Sequence, residues 1–247
     1  MIRKLWLFLS ICATLVAPIL IGGDAMALEA KEFFAGDYLQ FAQAIDREDT
    51  ASMREISKRI DLNAKVGEKQ MTVFVYAVVN KKTKSMQELV SLGANPALVV
   101  SGVGAPLSLA ASAEDPKLIE VLLDAGCDPN TKIDDEPLLF DAQLQDRKEI
   151  VNILLQHGAN INATDSLGNS ALKYAIGTMH YDMAIFLIEK GADVHSKTLD
   201  GVSVAYSAER ARGRMQPGSS GARKLEKIID MMKARGVRFP ADPPPKR

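Results

Sequence analysis

The sequence predicts an all-α fold of about six stacked helix-turn-helix units, and three observations carry that expectation. Gly93, Gly126, Gly158 and Gly191 recur at spacings of 33, 32 and 33 residues, each after an apolar run and before a small residue. An alanine stands sixteen residues ahead of each one: Ala77, Ala110, Ala142 and Ala175. Between these markers the apolar residues fall at helical spacing, as in Val151, Leu154 and Leu155. A unit of this size is too small to bury its own apolar faces and is stable only beside neighbours like itself.

Residues 1–27 read as a leader rather than as part of the fold. Arg3 and Lys4 precede the apolar run Leu5–Ile21, and Ala25-Met26-Ala27 offers small residues at a cleavage site. This is the pattern of a secretory signal peptide removed after Ala27. The run contains Pro18 and sits at the lower limit for spanning a bilayer, so no stable membrane anchor is expected after cleavage. Ile11 stands before Cys12 where a lipid-attachment site wants a small residue. Cys127 is then the one cysteine of the mature chain, which excludes an internal disulfide. A simple leader without disulfides favours a bacterial periplasm, with an extracellular location as the alternative.

The repeat domain is expected over residues 28–239. In the first unit, Phe33, Phe34, Tyr38, Leu39, Phe41, Ala42 and Ile45 recur at helical spacing, and a second helix covers about Thr50–Arg59 with Met53 and Ile56 inward. No stop glycine follows, as befits a degenerate terminal cap. The second unit, about Gly67–Ala97, opens on Thr72–Asn80 (TVFVYAVVN), whose β-branched residues prefer strands; stacking is expected to override that preference. In the third, about Val100–Thr131, Pro106 and Pro116 suit first helical turns, where a missing N–H costs nothing. The fourth, about Lys132–Ala163, carries the acidic turn Asp134-Asp135-Glu136 and a clear helix from Lys148 to His157. The fifth, Asp165–Lys197, is the most regular: turn residues Asp165-Ser166-Leu167-Gly168, a capping Ser170 and the stop at Gly191. The sixth begins at Asp200. Ala208 to Gly236 is 28 residues where the other units show 16, and the extra 12 are expected in a loop near Arg212–Ala222, rich in Gly, Pro and Ser. Residues 240–247 (PADPPPKR) read as a disordered tail.

The segments Ala105-Pro106-Leu107-Ser108-Leu109-Ala110 and Val151-Asn152-Ile153-Leu154-Leu155-Gln156-His157-Gly158-Ala159-Asn160 carry a further identification. The register they share resembles the ankyrin repeat, over nearly all of residues 28–239. That resemblance implies a solenoid that binds a protein partner, with turn tips and the exposed sides of the first helices lining a concave groove. By register, it places Asp134, Asp135, Glu136, Leu144, Gln145, Ser166, Asn169 and Thr178 there. The three carboxylates would form a docking point for a basic partner surface. Arg210, Arg212 and Arg214, beside the insert, form a second candidate surface, for an acidic partner or anionic headgroups.

Other classes of function find little support. A net charge of −1 gives no field for nucleic acid. Gly201-Val202-Ser203-Val204-Ala205 lacks the preceding strand and partner histidine of a nucleophile elbow. His157, His180 and His195 match no metal-ligand spacing, and no cofactor is expected. The expectation is a non-enzymatic, monomeric periplasmic binding protein. A small exported ankyrin solenoid resembles immunity-type proteins that neutralise a secreted antibacterial effector. The alternative is a stress-support role associated with catalase and peroxide resistance, which an exposed, reactive Cys127 would favour and a buried one would not.

Overall fold

Side-chain caps begin six of the helices that the periodicity anticipates. The computed structural model describes residues 28–100, 104–112, 115–133, 136–144 and 147–245. The leader therefore lies outside the described residues. The chain divides into two compact units, one ending at Asp128 and the other beginning at Pro129.

The first unit holds three helix pairs: α1 (Gly36–Asp46) with α2 (Thr50–Ile56), α3 (Val73–Val79) with α4 (Thr83–Ser91), and α5 (Pro106–Ser112) with α6 (Pro116–Asp124). Asp49, Thr72 and Asp115 cap α2, α3 and α6 by accepting the backbone N–H three residues on. Each such cap is worth about 1 kcal/mol. First helices pack on first helices, α3 against both α1 and α5, and second helices on second, α4 against both α2 and α6. In α3 every residue from Val73 to Val78 is buried. Stacking from both sides thus overrides the strand preference of that segment, as expected.

Polar groups in this unit are paired where they are buried. Arg54 grips the buried Glu88 carboxylate with two N–H groups, at 2.7 and 2.9 Å. Ser85 Oγ donates to the Ile45 carbonyl at 3.0 Å. Tyr76 is buried, and its hydroxyl donates to the Asp46 carboxylate at 2.8 Å. Burial first, and the hydrogen bond to the Asp46 carboxylate second, hold that phenol far above the ordinary tyrosine range. The segment from Leu28 is pinned to the same place: Asn80 accepts from Leu28 N and donates to Leu28 O, and Phe34 meets Tyr76 edge-on.

The second unit also holds three pairs, α7 (Leu138–Leu144) with α8 (Lys148–Gln156), α9 (Ala171–Gly177) with α10 (Tyr181–Glu189), and α11 (Val204–Arg212) with α12 (Ser220–Ala234). A two-residue antiparallel ladder, β1 (Lys132–Ile133) with β2 (Glu136–Pro137), precedes α7. The helices α7, α9 and α11 pack in succession, and α10 packs on α12. The stop glycines work as anticipated: Gly191 has φ +99°, and Ala192 N closes on the Leu187 carbonyl at 2.9 Å.

The last pair corrects one expectation. The twelve extra residues do not form a loop over Arg212–Ala222. Relative to α9 and α10, two lengthen the first helix, four the connector and six the second helix. The connector is only Gly213–Ser219. Ser219 caps α12 by accepting Ala222 N at 3.2 Å, and Leu225, Ile228, Ile229 and Met232 bury a continuous face. That apolar stripe outweighs the turn-forming composition at its start. In the tail expected to be disordered, Ala241 N donates to the Glu209 carboxylate at 2.7 Å.

One position in the turns between paired helices is strained. Glu48, Lys81 and Met179 each adopt the left-handed conformation, with φ of 52°, 53° and 64°. Glycine takes that conformation without steric cost. Met179 is 65% exposed and loses little by truncation. Met179→Gly is expected to raise stability by about 0.5–1 kcal/mol, read from the urea midpoint at unchanged slope.

Candidate protein-binding surface

The turns that lead into the first helices of the second unit are built from local hydrogen bonds. Asp165 Oδ1 accepts from Leu167 N and Asn169 N, at 2.9 and 2.8 Å, and Oδ2 accepts from Asn169 Nδ2 at 2.8 Å. A bridge between Thr164 and Ser170 closes the turn, and Ser170 then caps α9. The next turn repeats the plan, with a Lys197–Ser203 bridge, Thr198 hydrogen-bonded to Asp200 and Val202, and Ser203 capping α11.

Successive tips are tied together. Leu199 N donates to the Leu167 carbonyl at 3.1 Å. Gly168 makes this approach possible: its φ is +80°, and a Cβ there would lie 2.9 Å from Leu199 N. Both leucines of this backbone contact leave their side chains in solvent. Leu167 is 66% and Leu199 82% exposed. Local hydrogen bonds hold the backbone of both turns, at Leu167 N and between Leu199 N and the Leu167 carbonyl.

The sequence-predicted candidates fall in several places. Asp134, Asp135 and Gln145 lie outside the described residues, as does the side chain of Leu144 at the end of α7. Glu136 is half-buried in β2. Ser166 is exposed on the tip beside Leu167. Asn169 is engaged at both ends, donating to Asp165 and accepting from Lys173 Nζ at 2.7 Å, so it fixes the tip's shape. Burial holds the Lys173 ammonium below its usual range, against the opposing pull of Asp200 and Asp165. Thr178 is at the opposite end of α9, about 10 Å along the helix from the tip, where its hydroxyl bonds the Tyr174 carbonyl and His180 Nδ1. Arg210 and Arg212 are exposed on α11, with Arg210 over the Tyr206 ring and Arg212 3.4 Å from Glu209. Arg214 is exposed on the connector.

The described candidates therefore form two groups, one at the tips and one at the far ends of the first helices. The exposed leucines went unselected from the sequence. Their signal was a large apolar residue in the middle of a turn, twice, in Asp165-Ser166-Leu167-Gly168 and in Thr198-Leu199-Asp200-Gly201.

Cys127 is 4% exposed, and its Sγ donates to the Pro96 carbonyl at 3.3 Å. Burial pushes the thiol up to about 11. At pH 8 the native thiol should react with iodoacetamide roughly 100-fold more slowly than the same residue in denaturant, followed at Cys127 by peptide mass spectrometry. A buried, protonated thiol gives no support to the peroxide-related reading. Among the described residues there is no cluster of three or more His, Cys, Asp or Glu fit to hold a metal, and no helix is long and apolar enough to cross a membrane.

The helix pairs, their tied tips and the stop glycines define a helical-repeat module for protein–protein interaction. Residues 107–198 match the model of ankyrin repeats in three copies, and over that stretch the chain carries ankyrin repeats. A putative ankyrin repeat protein of fowlpox virus (strain NVSL), FPV034, is 40% identical over 88 residues, 36% of this chain and 21% of that protein. This chain thus spans about a fifth of that relative's length. Protein PhlB of Serratia liquefaciens is 30% identical over 152 residues, 61% of this chain and 66% of PhlB. Among solved structures, the chain is similar to one from the complex of the predatory endopeptidase Bd0816 of Bdellovibrio bacteriovorus with immunity protein Bd3460. That match has 25% identity and a TM-score of 0.54, covering 76% of this chain and 97% of the other.

Proposed function

We propose that this chain is an exported, non-enzymatic binding protein that captures and neutralises a protein partner, such as a secreted antibacterial effector, in the manner of an immunity protein. The observation that carries the binding reading is the paired display of Leu167 and Leu199 on adjoining tips. Exposed apolar side chains gain free energy when a partner covers them. Glu136 and Asp165 stand on the same run of turns and suit a partner with a basic rim. The leader pattern of residues 1–27 supports an encounter in the periplasm. The likeness to a chain from a complex of an endopeptidase with an immunity protein supports neutralisation as the outcome.

The test joins location to protection. A tagged chain recovered from the periplasmic fraction should co-purify with the product of a neighbouring gene, and deletion of the chain should sensitise cells to that product. Recovery from the cytoplasm alone, or full survival of the deletion strain, would overturn the reading.

A further inference from the structure

The outward face of α12 carries a self-complementary pattern. Its other face, Leu225, Ile228, Ile229 and Met232, is buried in the second unit. Outward, two rows run side by side at intervals of four residues: Ala222, Glu226 and Asp230 in one, Arg223, Lys227 and Met231 in the other. One row is acidic and the other basic. All six residues line a surface groove of about 780 Å³, walled on one side by the connector.

Existing pairings leave this face available. Lys227 Nζ stands 4.0 Å from Glu189, and Asp230 is 3.1 Å from Lys233, both on exposed side chains. Among the described residues, neither Arg223 nor Glu226 has an ion-pair partner. Exposed pairs of this kind are worth little and exchange readily.

We propose that α12 is a homodimer interface in which a second copy of the helix lies antiparallel in this groove. Take a two-fold axis at the midpoint between residues 226 and 227. Ala222 then meets Met231 of the second copy, Arg223 meets Asp230, and Glu226 meets Lys227; symmetry repeats each pair. Every charge in the two rows faces its opposite, and the ends of the stripe close on apolar contacts. A parallel, in-register arrangement would set like against like, so the pattern selects direction as well as partner. An isologous contact of this sort closes at two copies. The proposal departs from the monomer expected from the sequence. The helix is about 22 Å long, which gives a small interface and a weak, salt-sensitive dimer.

Sedimentation equilibrium on the purified full chain, from about 5 to about 500 μM, tests this. The wild type should pass from monomer to dimer across that range and shift at least about tenfold toward monomer in 1 M salt, where screening shortens to about 3 Å. Glu226→Lys should abolish the dimer, and Glu226→Lys/Lys227→Glu should restore it, because the two-fold axis pairs those positions with each other. Circular dichroism should show unchanged helix content in both variants. Association driven by the apolar leader would not respond to these charges. A wild type that stays monomeric throughout, or self-association that survives Glu226→Lys, would overturn the proposal. So would a monomeric chain that uses this face for a foreign protein.

Discussion

Leu154→Ala is expected to lower the free energy of unfolding by about 2–5 kcal/mol. Leu154 is fully buried on α8 beside Ile150 and Val151, and its carbonyl receives Ala159 N at 2.9 Å where the helix stops at Gly158. The substitution removes transfer free energy and leaves a cavity between elements that have no other core to collapse onto. In a repeat array, stability is a sum of unit terms and nearest-neighbour terms, and Leu154 serves both. Urea unfolding followed by circular dichroism reads the change. A loss below about 1 kcal/mol would mean that the helical register is misplaced.

Gly168→Ala is expected to cost about 2–3 kcal/mol through a different cause. No apolar contact is lost. Instead a methyl group must occupy a left-handed position and press on the backbone of Leu199 from 2.9 Å. Left-handed strain alone costs about 1–2 kcal/mol, and overpacking against backbone adds to it. The bond from Leu199 N to the Leu167 carbonyl should open, so hydrogen exchange at the Leu199 amide should accelerate while the amides of α8 keep their protection. Uniform loss of protection would indicate general destabilisation, contrary to a role in holding two tips together.

The fold was legible because its determinants are local and repeated. The glycine at each helix end needs a left-handed conformation, the alanine sixteen residues before it sits where helices approach closely, and both recur in register. Even the strand-like Thr72–Asn80 could be assigned, since neighbouring units dictate its burial. The last unit was less legible. Gly213, Pro217, Gly218 and Ser219 do mark a connector, but composition alone does not show where Ser219 ends it and the stripe from Leu225 to Met232 takes over.

The candidate surface was legible only in outline. Register located the turns. It did not show which side chains the turns expose, because that depends on hydrogen bonds between tips 32 residues apart. Asn169 illustrates the difference: the sequence offers a polar residue on a tip, whereas the structure commits both ends of its amide to Asp165 and Lys173. Leu167 and Leu199 show the converse: the sequence marks Leu167 only as part of a turn and singles out neither residue, whereas both are exposed on the tips.

Binding of a protein partner at these tips is tested by titration calorimetry with the partner recovered by co-purification. Both leucines are exposed, so Leu167→Asp/Leu199→Asp leaves the fold intact and alters only the surface presented. The double variant should bind at least 100-fold more weakly, a loss of about 2.7 kcal/mol. An affinity within about threefold of the wild type would contradict it.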